Sequence, residues 1–292
     1  MPYQEPHVIA EIGCNHMGDM GIAHELIKAA AHYCNVDGVK FQKRSNRELL
    51  SPAQYNAPHP NPANSFGGTY GEHREFLELD LDQHRQLKAW CEELGLVYST
   101  SVWDLTSAQE IASLEPANIK IPSARNTDFE MLAWLCRNYA GEIQISVGMT
   151  TLEEEKAIVD LFVAEGRARD LVIFSCTSGY PVPFQDICLL EITRLIEMYG
   201  GTVKSIGFSG HHLGIAIDVA AYTLGAHVIE RHYTLDRTLK GTDHSASLEP
   251  EGLRKLKRDL VAVHSALTYK PEQILEIETV QREKLKYQVP CR

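Results

Sequence analysis

The chain reads as a single (β/α)8 barrel of the α/β class, and three observations carry that reading. Eight short apolar runs recur at roughly even spacing, segments of helical period separate them, and nearly every run ends in a residue able to do chemistry. In such a barrel all eight strand ends converge on one face, so residues more than two hundred positions apart line one pocket. At 292 residues the chain is long enough for one barrel, which takes ~250.

The runs are HVIAEIG from His7, GVKFQKR from Gly38, LVYSTSV from Leu96, NIKIPSA from Asn118, EIQISVG from Glu142, LVIFSCT from Leu171, SIGFSG from Ser205 and HVIERHY from His227. After the first, Met20–Cys34 puts Ile22, Leu26, Ile27 and Ala30 on one stripe, and Asp37-Gly38 turns into the second strand. LDQHRQLKAWCEELG has Asp82 as a first-turn acid and Gly95 as the residue that ends the helix. TSAQEIASL, TDFEMLAWLCRNY, TLEEEKAIVDLFVAEG, DICLLEITRLIEMYGG and GIAIDVAAYTLGA continue the alternation, with Thr106, Asp128 and Thr151 at capping positions. PEGLRKLKRDLVAVHSAL closes the ring. The barrel domain is therefore expected over residues 1–269 and a charged helical tail over 270–292. An open doubly wound sheet is the structural rival, weakened because no Gly-x-Gly-x-x-Gly follows the first strand. Between the second strand and its helix, Ser51–Thr69 is rich in Pro, Asn and Gly and is expected to act as a lid or substrate-binding loop.

Composition narrows the class. A net charge of −11 argues against a nucleic-acid partner but permits an anionic substrate, because local lysines can outweigh the global field. No apolar run approaches the ~18 residues of a membrane span, and no secretory leader is visible. Seven scattered cysteines without a Cys-x-x-Cys pair point to reduced thiols and a cytoplasmic enzyme.

Two constellations carry chemistry. His211 and His232 end neighbouring strands, so their imidazoles are expected to share a metal such as Mn, Fe, Co or Zn, with Asp243 or His244 adding a ligand or holding a hydroxyl. His212 faces the other way and is assigned a structural or supporting role. Lys40 and Lys120, each flanked by apolar strand residues, stand with Ser123, Ser146 and Ser209 as a phosphate or carboxylate site. The alternative for the lysines is a pair of internal salt bridges to Glu11 or Glu230.

AEIGCNHMGD at Ala10, VKFQ at Val39, KIPSA at Lys120, SVGM at Ser146, CTSGYPVPFQD at Cys176, GFSGHHLGI at Gly207 and VIERHYTLDR…GTDHSASLEPEGL from Val228 together resemble the sialic acid synthase family. That family belongs to the phosphoenolpyruvate-condensing barrel enzymes. The resemblance implies that carbon 3 of phosphoenolpyruvate attacks an open-chain aldose, water adds to C2, and phosphate leaves a 2-keto-3-deoxy sugar acid. It implies that His211 and His232 bind Mn2+ or Mg2+, and that Lys40, Gln42, Lys120, Ser123, Ser146, Ser178, Tyr180 and Ser209 hold phosphoenolpyruvate. Glu11 would handle protons or position the acceptor, Asp243 would hold sugar hydroxyls, and a homodimer is the implied assembly.

The chain departs from the family pattern at Ala124-Arg125, where Gly and an acid serving the acceptor or proton transfer are usual. Arg125 is therefore expected to mark a different, anionic acceptor such as a sugar phosphate; pairing with a nearby acid is the bland alternative. Ser209-Gly210-His211 replaces the usual Ser-Asp-His, and the C-terminal antifreeze-like domain is expected to be absent. Two rival functions remain at this level: another metal-dependent barrel enzyme, and a non-catalytic sugar-acid-binding homologue.

Overall fold

A computed structural model describes residues 3–286. Eight parallel strands, β1 (His7–Gly13), β2 (Gly38–Lys43), β3 (Val97–Val102), β4 (Asn118–Ile121), β5 (Glu142–Ser146), β6 (Leu171–Cys176), β7 (Ser205–Gly210) and β8 (Val228–His232), close into a barrel in sequence order. The ring is sealed by β1 against β8, with Glu11 opposite His232. An open sheet is thereby excluded.

The helices are α1 (Met20–Ala29), α2 (Asn46–Leu49), α3 (Pro52–Asn56), α4 (Tyr70–Leu77), α5 (Leu81–Glu93), α6 (Leu105–Ala112), α7 (Phe129–Asn138), α8 (Leu152–Ala164), α9 (Glu191–Tyr199), α10 (Ala216–Thr223), α11 (Pro250–Ala266) and α12 (Glu276–Leu285). A π-turn, Ala30–Cys34, extends α1. Asp128 and Thr151 cap α7 and α8 through Met131 N–H and Glu154 N–H. Thr106 does not cap α6: Asp104 does, because its carboxylate reaches Ser107 N–H (2.7 Å) while Thr106 already lies inside the helix. The stretch from 287 to 292, including Cys291, lies outside the described residues; the other six cysteines are free.

The two-residue period of the strands sorts side chains into two compartments. Val8, Ala10, Val39, Phe41, Ile119, Ile121, Ile143 and Ile145 face the helices and join the large core between sheet and helix ring. Ile9, Val172, Phe174 and Val228, of the opposite parity, form a separate apolar cluster inside the barrel. Lys120 Nζ lies 3.2 Å from the centroid of the Phe174 ring. Polar residues therefore begin directly above an apolar floor, and everything toward the strand C-termini is available for a site.

Candidate active site

A cavity of about 470 Å3 opens at the C-terminal face of the barrel. At its base are two ion pairs among buried side chains. Lys40 lies against the carboxylate of Glu11, and Lys120 Nζ is 3.1 Å from Glu230 Oε2. Lys40 also donates to Ser101 Oγ (2.6 Å), and Ser209 Oγ donates to Glu230 Oε1 (3.0 Å). The internal salt bridges that stood as the alternative to an anion site are thus present, and the same lysines line the cavity. Burial would raise the Glu230 carboxyl, but Lys120 and Lys40 outweigh it and hold it down at about 2. Glu11 goes the other way: burial pushes its carboxyl above the ordinary range despite Lys40.

Ser123, Ser146, Ser178 and Ser209 come from the ends of β4, β5, β6 and β7 and all line the cavity. Gly148 lets two of them meet. Its N–H donates to Ser123 Oγ (3.2 Å), and a Cβ at that position would stand 2.7 Å from the hydroxyls of both Ser123 and Ser178. Asn126 fixes this turn, donating to Ser146 O (3.0 Å) and reaching Thr150 Oγ1 (2.6 Å). Convergent hydroxyls over a lysine are suited to an anionic oxygen cluster.

His211 and His232 meet at the mouth with ring centroids 5.5 Å apart, and the Tyr180 ring packs against both. His211 Nδ1 donates to Thr177 O (3.0 Å), which leaves Nε2 with its lone pair. Burial and the neighbouring His232 push the His211 imidazole down to about 3, keeping it in the neutral, ligating form. His232 Nδ1 is buried without a hydrogen-bond partner. Two imidazoles suit a divalent ion whose remaining positions go to substrate or water. Among the described residues no group of three or more His, Cys, Asp or Glu converges on a metal-sized point.

Asp243 lines the cavity and accepts from Thr242 Oγ1 (2.9 Å). Burial alone would raise its carboxyl, but His232, Thr242, Arg44 and Arg74 together hold it below the ordinary range. His244 does not join the site, since its Nδ1 shares a 2.7 Å hydrogen bond with Thr234 Oγ1 in a buried turn. Gln42 lines the cavity and donates to Glu11 Oε1 (3.2 Å). His212 is buried away from it, accepting from Arg231 Nη1 (3.0 Å) beside Asp218.

Two expectations need correction. Arg125 does not line the cavity; it sits in a short turn where its guanidinium is taken by Asp128, three residues on. Nor does the Ser51–Thr69 loop line it. Tyr55 of that loop packs over Gly71, and His59 packs edge-on to His73 and tilted against Tyr70, so the loop braces α4 instead. It is α4 that reaches the cavity, through Arg74.

Sequence reasoning missed Arg44, Arg74, Trp103 and Gly148. Arg44 continues the inward parity of Lys40 and Gln42, and Trp103 that of Ser99 and Ser101, so a strict count by twos could have found both. Arg74 sits on a helix inside an irregular connection, where no periodicity points inward.

Comparison with known proteins places this geometry. The model of the NeuB family matches residues 26–272. The chain belongs to the NeuB family. It is 37% identical over 283 residues to the N-acetylneuraminate-9-phosphate synthase of Homo sapiens, covering 95% of this chain and 76% of that relative. It is 32% identical over 261 residues to the N,N'-diacetyllegionaminic acid synthase of Campylobacter jejuni, covering 89% and 77%. The crystal structure of a sialic acid synthetase from Leptospira borgpetersenii in complex with citrate superposes with a TM-score of 0.80 at 24% identity. It covers 98% of this chain and 94% of that one, a likeness of fold. The NeuB chain is thus a barrel enzyme among sugar-acid synthases, and no helix of the described residues is long and apolar enough to cross a membrane.

Proposed function

We propose that this NeuB-family chain condenses phosphoenolpyruvate with an aldose of the N-acetylmannosamine type, giving a 2-keto-3-deoxy sugar acid and phosphate. One observation carries the reading: a pair of histidines and a set of lysines and serines share one cavity at the C-terminal face of a NeuB-family barrel.

Ser123, Ser178 and Ser209, with Lys120 beneath them, hold the phosphate and carboxylate of phosphoenolpyruvate. Each lysine is buried against a glutamate, so substrate oxygens enter a region where positive charge is already in place and water is scarce. Ser146 and Tyr180 close the pocket on that side, and Gln42 steadies Glu11. His211 and His232 hold a divalent ion, Mn2+ or Mg2+, which when bound polarises the acceptor aldehyde. Glu11, whose carboxyl burial pushes above its ordinary range, holds or receives a proton beside the reacting centre. Asp243, kept ionised, accepts hydrogen bonds from acceptor hydroxyls. The six free cysteines accord with a cytoplasmic setting.

The test is phosphate release with phosphoenolpyruvate and Mn2+ against a panel of aldoses, with mass spectrometry of the product. Release that requires phosphoenolpyruvate, metal and one aldose together supports the synthase. Release from phosphoenolpyruvate alone, or none with any aldose, contradicts it.

A further inference from the structure

The cavity contains a second cationic cluster, beyond Lys40 along β2 toward the C-terminal face. Arg44 follows β2 and Trp103 follows β3; of the strands that supply the serine hydroxyls, β4 adjoins β3, while β6 and β7 stand across the ring from β2 and β3. Arg44 is only 8% exposed, with its guanidinium 3.9 Å from the Trp103 ring centroid. Its other contacts are neutral: Gln42 Oε1, and Cys14 Sγ at 3.9 Å. Arg74, on α4, donates from Nε to Tyr70 OH (3.1 Å). Neither guanidinium forms an ion pair among the described residues. Glu78 is engaged by Lys43 Nζ (3.0 Å) and the Arg44 backbone N–H (2.9 Å), and Asp243 acts on both arginines only at longer range. Burial and the charge of Arg74 both push Arg44 below its ordinary pKa, whereas Cys14, Tyr70 and Asp243 hold Arg74 above its own despite burial.

Buried cations are costly without an anion, and a guanidinium pair is matched to the oxygens of a phosphate monoester. We propose that Arg44 and Arg74 form a subsite for a phosphate group carried by the acceptor sugar, distinct from the site that holds phosphoenolpyruvate. The inference rests on the synthase reading and deepens it. The cation that reads the acceptor is then this pair, with Trp103 setting the plane of Arg44 and the loop-braced α4 setting the reach of Arg74.

Calorimetric titration tests the subsite without relying on turnover. The titrants are N-acetylmannosamine, its 6-phosphate and phosphoenolpyruvate, each with Mn2+, into wild type, Arg74→Gln and Arg44→Gln. Circular dichroism confirms that each variant is folded. Arg74→Gln, at a half-buried helix position, carries the test if buried Arg44→Gln does not fold. The wild type is expected to bind the 6-phosphate at least tenfold more tightly than the neutral sugar, and each variant to lose at least tenfold of that preference. Equal wild-type affinity for the two sugars overturns the proposal, as does an unchanged preference in folded Arg74→Gln. Weakened phosphoenolpyruvate binding with an intact sugar preference also overturns it, by assigning the arginines to the other substrate. Failure of the synthase reading shows separately, as absence of phosphate release from phosphoenolpyruvate with either sugar.

Discussion

His211 is placed by a network that never touches the cavity. Buried Arg231 donates to His212 Nε2 (3.0 Å), His212 O (2.6 Å), Gly214 O (2.8 Å) and Asp218 Oδ2 (2.5 Å), tying the chain just after His211 to β8 and α10. The catalytic face is thus split between residues that bind and residues that hold the binders still. His232→Ala should lower turnover by at least a thousandfold with little change in thermal stability, because side chains on this face serve chemistry more than packing. Metal-dependent activity surviving in that variant removes His232 from the metal site. Gly148→Ala offers a finer probe, since its methyl would press on Ser123 and Ser178. The KM for phosphoenolpyruvate should rise about tenfold or more, the loss of one charge-assisted contact. An unchanged KM would show that these hydroxyls do not meet that substrate.

At the scale of elements, the strands were legible because their alternation is strong and each is bounded by a turn. Convergence of the strand ends on one face put Glu11, Lys40, Lys120, Ser209 and His232 in one pocket. Arg125 misled for a physical reason: beyond the strand the chain enters a short turn, parity lapses, and an acid three residues on captures the side chain. Arg74 was invisible because its position depends on how the 51–69 segment folds onto α4. Asp104 is the joint between these regions. Its carboxylate accepts from Ser107 N–H at the start of α6 and from Ser45 N–H just after Arg44, each at 2.7 Å. Asp104→Ala leaves both donors without that acceptor and should cost about 2–4 kcal/mol. Thr151→Ala, an exposed cap of α8, should cost only ~1 kcal/mol. Equal losses in urea unfolding would contradict the joint role of Asp104.

For the whole molecule, the barrel's dependence on buried neutral histidines sets its behaviour in acid. Burial pushes His16 down to about 4 and His84 down to about 3, and His16 Nδ1 accepts from Gly18 N–H (3.0 Å). In the unfolded chain each imidazole takes a proton near pH 6.5. Between those values the unfolded state binds more protons, so stability is full above ~pH 6.5 and falls as pH drops toward 4. Each histidine contributes a slope of about 1.4 kcal/mol per pH unit within that window. Urea midpoints at pH 7, 6 and 5 should decline in step, and a His84→Gln variant that still folds should decline less steeply. A flat profile would mean these side chains are not held neutral in the folded barrel.

The fate of the bridging oxygen of phosphoenolpyruvate tests the proposed chemistry most directly. In the condensation, water adds to C2 and the C–O bond breaks, so the bridging oxygen leaves with phosphorus. Phosphoenolpyruvate labelled with 18O at that oxygen, incubated with Mn2+ and the accepted aldose, should yield phosphate carrying the label and an unlabelled sugar acid. Unlabelled phosphate, with the label left in pyruvate, would mean P–O cleavage by a hydrolase and contradict the synthase.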